Sequence, residues 1–507
     1  MIQESENNRI PRPPVVVVLG HIDHGKSTLL DTIRKSNVAE NEAGGITQEI
    51  GAYEVTHTAS SGKTHPIVFL DTPGHAAFQA MREKGARVAD IGVLVVAADD
   101  GVKPQTKEAL SAIISAKIPY IAVLNKIDKL GINIERARQS LLENEIYIEG
   151  YGGSIPCVLI SAKTGEGVAE LLDMIVLIAE LENFTGDMSV PAEGIVIETK
   201  VDKKRGLSAT LLIKNGSLVP GKYIVAGDAV SPGRIIENFL GKPVKEAHFS
   251  SPVRVTGWSS LPQVGLPFET FSLKKEAEEK ALENAEAARD HNSASKEKSA
   301  TVPPERIMIP LVVKVHVSGL LEAIKHELAK IETDQVGFKI VSEGIGTITE
   351  RDVKTATGKK DTVIIGFSTG IDAPAKSLAE RLAVPIEMFD IIYKLSEWFV
   401  AQVERHTPKI AVEEVLGKAK ILRLFSHTKD KQIVGGRVVS GVIKTGAQVK
   451  IFRRDAEIGS GRIRELQREK NRTDEVSEGR EFGTMIEAKI EIAEHDTIEA
   501  FTIKEQV

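Results

Sequence analysis

Cysteine is nearly missing from this chain: one among 507 residues, Cys157. A lone thiol excludes an internal disulfide, and its apolar setting in IPCVLIS reads as a buried strand position without a chemical role. Long apolar runs are missing too. None approaches the roughly 20 residues of a membrane-spanning helix, and the polar, proline-bearing start MIQESENNRIPRPP holds no apolar core of a secretory signal. No membrane partner is therefore expected, and the cytoplasm is the expected location. Nor is positive charge in excess. The formal charge of −6 excludes a chain coated in basic residues but leaves room for a local basic face. What is present is ordinary globular material, 42% hydrophobic and 27% charged, in a chain too long for one core.

The expected architecture is multidomain α/β plus β. After a short polar tail (1–12), residues 13–185 alternate helical patterns with the apolar runs VVVVL, IVFLD, IGVLVVAAD, YIAVLN and CVLIS. Each run ends in a polar or glycine-rich turn, which predicts a largely parallel sheet buried on both faces. Residues 186–273 turn to short strands broken by glycine and proline, the pattern of a β-barrel domain. Residues 274–305, with EAEEKALENAEAARDHNSASKEKSA, show no apolar face and predict a polar helix followed by a loose linker. A second α/β/α unit spans 306–390, where Leu320, Ile324, Leu328 and Ile331 share one helical face. A connecting helix is expected over 391–406, with Ile391, Leu395, Phe399 and Val403 at four-residue spacing. From 407 to 507 strands return as a terminal barrel.

The chemistry starts at GHIDHGKST, residues 20–28. Gly20, four residues, then Gly25-Lys26-Ser27 is a phosphate-binding pattern, set between an apolar strand and a helix as its mechanism requires. Glycines let backbone N–H groups turn toward phosphates, and the helix amino terminus adds its dipole. Lys26 neutralises the outer phosphates and Ser27 offers a hydroxyl to Mg²⁺. Asp23, His24 and Thr28 complete the loop. His21 and His24, lacking further ligands in the pattern, read as shapers of the loop rather than a metal site.

The base is read from Asn125-Lys126-Ile127-Asp128 after the strand IAVL. The Asp128 carboxylate can accept both the ring N–H and the exocyclic amino group of guanine, a donor pair adenine lacks. Asn125 can serve the base and the loop, and the Lys126 stem can cover the ring. Ser161-Ala162-Lys163 offers backbone N–H groups to the guanine O6. Guanine nucleotides, GTP and GDP, are the expected ligands.

Two segments supply a switch. Asp71-Thr72-Pro73-Gly74 ends a strand, with Asp71 near the Mg²⁺ shell, probing it through water, and the Gly74 N–H within reach of a γ-phosphate. EAGGITQEIGAY carries Thr47 as a second hydroxyl for the metal. The expected ligands of Mg²⁺ are thus Ser27, Thr47 and Asp71. His75 stands where small GTPases carry a water-orienting glutamine and is the catalytic candidate, orienting water rather than abstracting its proton. No arginine finger is visible in the chain, so slow intrinsic hydrolysis and activation by a partner are expected.

Together GHIDHGKSTLLD, GGITQEIGAY, FLDTPGHAAF, NKID and SAKTGEG resemble the GTPase domain of bacterial-type translation initiation factor two. VSGLLEAI, GIGTITERDV and IIYKL resemble its third domain and connecting helix, and GRVVSGVIKTGAQVKIFRRD its terminal barrel. The resemblance implies ribosome-stimulated hydrolysis of GTP, binding to ribosomal subunits and ribosomal RNA, promotion of subunit joining, and binding of formylmethionyl initiator tRNA by the terminal barrel. A further initiation factor is a conceivable partner, and a monomer is the default.

Two departures from the family pattern stand out. The long amino-terminal extension of many members is almost absent here. In the terminal barrel, IVGGRV and REFG stand in place of the usual IAGCYV and YECG. Gly436 and Phe482 thus replace two cysteines and Arg437 an aromatic residue, while Arg468, Glu481 and Gly483 keep the pattern. A glycine opens space and a phenylalanine fills it, so the pocket is remodelled or its formyl preference lost. By the resemblance the candidates for tRNA contact are Arg437, Arg468, Glu481, Phe482 and Gly483. Arg453, Arg454, Arg462, Arg464, Arg468, Lys470 and Arg472 add a basic cluster expected to meet phosphates. The connecting helix is expected to act as an arm relaying the nucleotide state. Alternatives are an archaeal or eukaryotic-type initiation relative and a GTP-dependent scaffold with altered initiator recognition.

Overall fold

The computed structural model describes residues 9–34, 46–59, 62–202, 205–295, 306–407, 410–428, 431–469 and 471–506. Lys470, much of the linker between 290 and 301, and the start of EAGGITQEIGAY lie outside them. The chain divides into two compact units, one through Val403 and one from Glu404.

The first unit opens with a six-stranded sheet. Its order is Gly51–Thr58, Thr64–Asp71, Val15–Gly20, Ile91–Ala97, Tyr120–Asn125 and Cys157–Leu159. Every neighbouring pair is parallel except the outermost, Gly51–Thr58 against Thr64–Asp71. Val15 to Leu19 and Ile91 to Ala97 are buried along their whole length, as strands covered by helices on both faces must be. One face packs under Ala109, Ile113 and Leu141, the other under Leu29, Leu30, Leu171 and Ile175.

The polar tail needs correction at its end. Arg9–Pro11 is a strand paired antiparallel with Thr185–Asp187. Arg12 grips Asp90 with both guanidinium nitrogens at 2.6 and 2.8 Å, and Lys214 reaches the same carboxylate at 2.8 Å. Burial raises the Asp90 pKa, but these two cations outweigh it and leave the carboxyl below its ordinary range. The tail thus ends in a buried ion cluster, built where two domains meet.

Residues from Glu193 to Phe271 form a seven-stranded antiparallel sheet wrapped about Val196, Leu211, Ile224, Val255 and Phe268. The helix Lys274–Ser295 follows. Contrary to the expectation of no apolar face, Ala277 and Ala281 are buried against Val225. Two alanines four apart make a narrow stripe, enough to seat a helix though too weak to stand out among Glu and Lys.

The α/β/α domain has four parallel strands in the order Val336–Ile345, Ile307–Val315, Val363–Phe367, Ile386–Phe389. The helix expected to be a connecting arm runs Ile392–His406, and Ile392, Leu395, Phe399 and Val403 join this domain's core. The buried face starts at Ile392, not Ile391, and the helix through Val403 is part of the domain rather than a bare rod. That core also takes in Ala77, Phe78 and Met81, which follow the six-stranded sheet's strand Thr64–Asp71.

In the second unit Ile410–Thr428 pairs with both Thr497–Gln506 and Lys431–Lys444. The strand order therefore closes on itself through Gln448–Arg453, Ala456–Arg468 and Glu481–Ala488, around Ile421, Val449, Ile463 and Ile486. A closed barrel leaves no open edge along these strands. Among the described residues no helix is long and apolar enough to cross a membrane.

Candidate nucleotide-binding site

The loop at residues 21–25 leaves the strand Val15–Gly20 and enters the helix Lys26–Arg34. Gly25 has φ 86°, and a side chain there would meet Asn125 Nδ2 at 2.4 Å, so only glycine fits. Asp23 also holds a left-handed conformation, φ 60°. A cavity of about 120 Å³ opens in front, lined by Asp23, Gly25, Lys26, Ser27, Thr28, Thr47, Gly74 and His75 among others.

Lys26 is 7% exposed. Its ammonium donates to His21 O at 2.6 Å and lies against Gly74, where a methyl group would come within 2.4 Å of Nζ. Burial pulls its pKa down to about 8, opposed by Asp71. A desolvated cation at the floor of a cavity, under a helix amino terminus, fits an anion such as a phosphate chain. Ser27 Oγ and Thr47 Oγ1 lie 3.1 Å apart, two neutral oxygens suited to a hard divalent cation. Asp71 is 3.5 Å from Arg34 and lines the adjoining cavity of about 280 Å³ with Thr47, Glu49 and Glu198.

His24 is buried beneath the loop and absent from the phosphate cavity's lining. Its Nδ1 faces Val95 O at 3.3 Å, its ring meets His21 edge-on, and its carbonyl receives Asn125 Nδ2 at 2.8 Å. Burial drops its pKa to about 4, so it stays neutral. His21, His24 and Asp100 cluster closely, but Lys103 already neutralises Asp100 at 2.7 Å. The two histidines shape the loop.

Asn125 Oδ1 accepts the N–H groups of Lys126 at 2.7 Å and Ala162 at 2.9 Å, tying three loops together. Asp128 is exposed and accepts from Ser161 Oγ at 2.7 Å, a bond that keeps its carboxylate ionised by lowering its pKa. The expectation for Ser161-Ala162-Lys163 narrows here. Ser161 N–H donates to Glu166 O and Ala162 N–H to Asn125, while among the described residues the Lys163 N–H has no bond within the chain. One donor rather than three is open to a base oxygen.

His75 caps the short helix Ala76–Phe78, its Nδ1 accepting from Ala77 N at 3.0 Å. The remaining proton is therefore on Nε2, and burial holds the imidazole pKa below its ordinary value. A neutral ring with a donor at Nε2 can orient a water but has no lone pair left there to take its proton.

Arg82 was not singled out from sequence. It is 1% exposed and donates to Gly74 O at 3.2 Å and His75 O at 2.5 Å, with Glu108 as counter-ion at 2.5 Å. It clamps the segment that carries His75. In sequence it is one more charged residue on a polar helix, and its burial gave no local signal.

In the terminal barrel, strand register brings Arg437 opposite Glu481, Gly436 opposite Phe482 and Gly435 opposite Gly483, with Gln467, next to Arg468, also opposite Gly483. Arg437 and Glu481 pair at 2.6 Å on the surface. Phe482 is a correction: 4% exposed, it belongs to the barrel core. A methyl group on Gly436 would meet its Cζ at 2.9 Å, so the ring fills the volume that Gly436 vacates. The space where a Gly483 side chain would stand is open. Within the basic cluster Arg453 pairs with Asp496, Arg464 with Glu487, Arg468 with Glu469 and Arg472 with Glu465, so acidic neighbours interleave it.

A strand, phosphate loop and helix, a lysine aimed into the cavity and two facing hydroxyls define a P-loop GTPase fold, here joined to β-rich domains. Residues 12–180 match the profile of the Elongation factor Tu GTP binding domain, 191–271 that of Elongation factor G domain 2, 282–399 that of Translation-initiation factor 2, and 417–499 that of Elongation factor Tu domain 4. Proteins named Translation initiation factor IF-2 are 40% identical over 99% of this chain. The chain covers 55% of the one from Rhizobium etli, 70% of that from Anoxybacillus flavithermus and 72% of that from Bacillus pumilus. A crystal structure of GDP-bound aIF5B from Aeropyrum pernix is 27% identical, covering 97% of this chain and 92% of that one at a TM-score of 0.49. The chain belongs to the translation initiation factor IF-2 family, and it spans little more than half the length of the Rhizobium relative.

Proposed function

We propose that this protein is a translation initiation GTPase that binds initiator tRNA on the small ribosomal subunit, promotes subunit joining and hydrolyses GTP to GDP and phosphate. The observation that carries the reading is Lys26, buried and charged at the mouth of a helix, facing the Ser27 and Thr47 hydroxyls across one small cavity. Lys26 and the loop amides of residues 23–28 hold the phosphates. Ser27 and Thr47 would hold Mg²⁺, with Asp71 acting through water, and the metal would neutralise negative charge on the phosphates. Asp128 reads the two guanine donors, Asn125 fixes the loops around the base, Lys126 covers the ring, and Lys163 N–H serves the base oxygen. Gly74 N–H senses the third phosphate, and His75 donates from Nε2 to orient the attacking water.

The partners in this reading are ribosomal RNA and the initiator's acceptor end, in the cytoplasm, with the protein as a monomer. The outer surface of the paired strands at Arg437, Glu481 and Gly483 is the tRNA contact, with Phe482 shaping it from beneath and Arg468 beside it. The names of the relatives favour the bacterial-type factor over the archaeal or eukaryotic type. The test is light scattering of subunit joining. GTP with formylated initiator tRNA should accelerate joining over GDP, and equal rates with GTP and GDP would defeat the reading. Substituting unformylated initiator tRNA reports whether the Gly436 and Phe482 pair keeps the formyl preference.

A further inference from the structure

His75 lines the phosphate cavity and at the same time rests edge-on against Tyr393, ring centroids 4.5 Å apart at 85°. Tyr393 lies in the first turn of the helix Ile392–His406, just past a corner whose Asp390 carbonyl accepts Gln48 Nε2 at 2.9 Å. Gln48 follows Thr47. One corner of the α/β/α domain therefore touches the histidine of one switch and the residue beside the metal-facing hydroxyl of the other. The backing is packed: Phe78 and Met81 share a core with Leu320, Ile392 and Leu395. Tyr393 itself is 41% exposed, so its ring is spent on His75 rather than on that core.

We propose that Tyr393 is a positioning residue that holds the His75 imidazole against the α/β/α domain in the resting protein and so restrains GTP hydrolysis until this corner moves. The inference rests on the GTPase reading above. With Nδ1 already committed to Ala77 N, the aromatic rings that meet the imidazole among the described residues are Tyr393 and, at 6.0 Å, Phe78, while Glu327, Lys330, His326 and Arg82 act on it by charge. An edge-to-face pair of this geometry shifts an equilibrium by about 2- to 12-fold, which sets the size of the restraint.

The test compares Tyr393→Ala and Tyr393→Phe in the full chain, without ribosomes, by GTP turnover, fluorescent-GTP affinity and NMR titration of the His75 imidazole. Tyr393→Ala should raise kcat by about 2- to 12-fold with KM and GTP affinity unchanged. Its His75 should titrate nearer the ordinary imidazole range, because part of the burial is gone. Tyr393→Phe keeps the ring and should match the wild type in all three. Tyr393→Ala turning over at or below the wild-type rate while binding GTP normally overturns the restraint alone. A wild type that binds no GTP overturns the site reading, and this inference with it.

Discussion

Arg82 separates nucleotide binding from hydrolysis more sharply than any residue of the phosphate loop. Its guanidinium, 1% exposed, donates through its two terminal nitrogens to Gly74 O, His75 O and Glu108, leaving Nε without a partner among the described residues; the contact to Pro73 O at 3.4 Å is too long to add much. Arg82→Met keeps most of the volume and removes the donors. Charge-assisted bonds contribute about 1.5–3 kcal/mol each. Two of them give about 3–6 kcal/mol lost from the ordered form of the His75 segment. Glu108 is one-third exposed and can turn to water, so its release adds little. At 1.4 kcal/mol per decade the ordered segment becomes about 10²- to 10⁴-fold rarer. Lys26, Ser27, Asn125 and Asp128 make no bond to Arg82, so GDP affinity should stay within about threefold of the wild type, a change below 1 kcal/mol. The assay is fluorescent-GDP titration beside single-turnover GTP hydrolysis with ribosomes. Hydrolysis should fall at least about 100-fold, and hydrolysis within twofold of the wild type at normal GDP affinity would refute the clamp.

Lys26 predicts a pH signature. An anion favours the charged lysine, whose pKa in the free site is about 8; GTP affinity should be flat near neutrality and weaken above about pH 8 by up to tenfold per unit. A Kd independent of pH up to about 9.5 would contradict this. In the terminal barrel, Phe482→Ala should cost about 3–5 kcal/mol, read as hydrogen exchange of Glu481–Ala488 faster by about 10²- to 10⁴-fold. Gly436→Ala, pressed 2.7 Å from Lys420 O and 2.9 Å from Phe482 Cζ, should cost about 1–3 kcal/mol. The double variant should lose less than the sum, because the smaller side chain clears one of the two clashes. Strict additivity would mean the two residues do not share that volume. Glu198 is raised above the carboxylate range by burial and by Glu49, against a hydrogen bond from Ile50. As pH rises through the usual carboxylate range the unfolded chain releases this proton before the folded one, so stability falls. Glu198→Gln is exempt: its Tm advantage over the wild type should grow from about pH 5 to about pH 8, and a constant difference would show that Glu198 is ionised throughout.

What could be read without coordinates was what lies within a few residues or repeats with a fixed period. The strand, loop and helix around Lys26 were legible because glycine spacing, an apolar β-branched run and Leu29, Leu30 and Ile33 all fall within twenty residues. The β-rich domains were legible from strand punctuation. What escaped depends on distant pairs. Nothing local marks Tyr393 as the neighbour of His75, or Gln48 as the partner of Asp390 across 342 residues. Alternation along Glu481–Ala488 says that Phe482 and Glu481 face opposite ways, but a pocket and a core lie on the same side of that pattern. Arg453 and Arg464 of the terminal barrel read as part of a basic face because their acidic partners, Asp496 and Glu487, lie far along the chain.

The central claim is that this chain is a GTPase set in motion by the ribosome. Its most direct test is GTP turnover by the purified protein, alone and with both ribosomal subunits, with ATP and with His75→Ala in parallel. The account predicts slow turnover alone, stimulation by the subunits of about 10³-fold or more, no turnover of ATP, and loss of the stimulation in His75→Ala with GTP binding kept. Equal GTP turnover with and without subunits, or ATP consumed as readily as GTP, would contradict it.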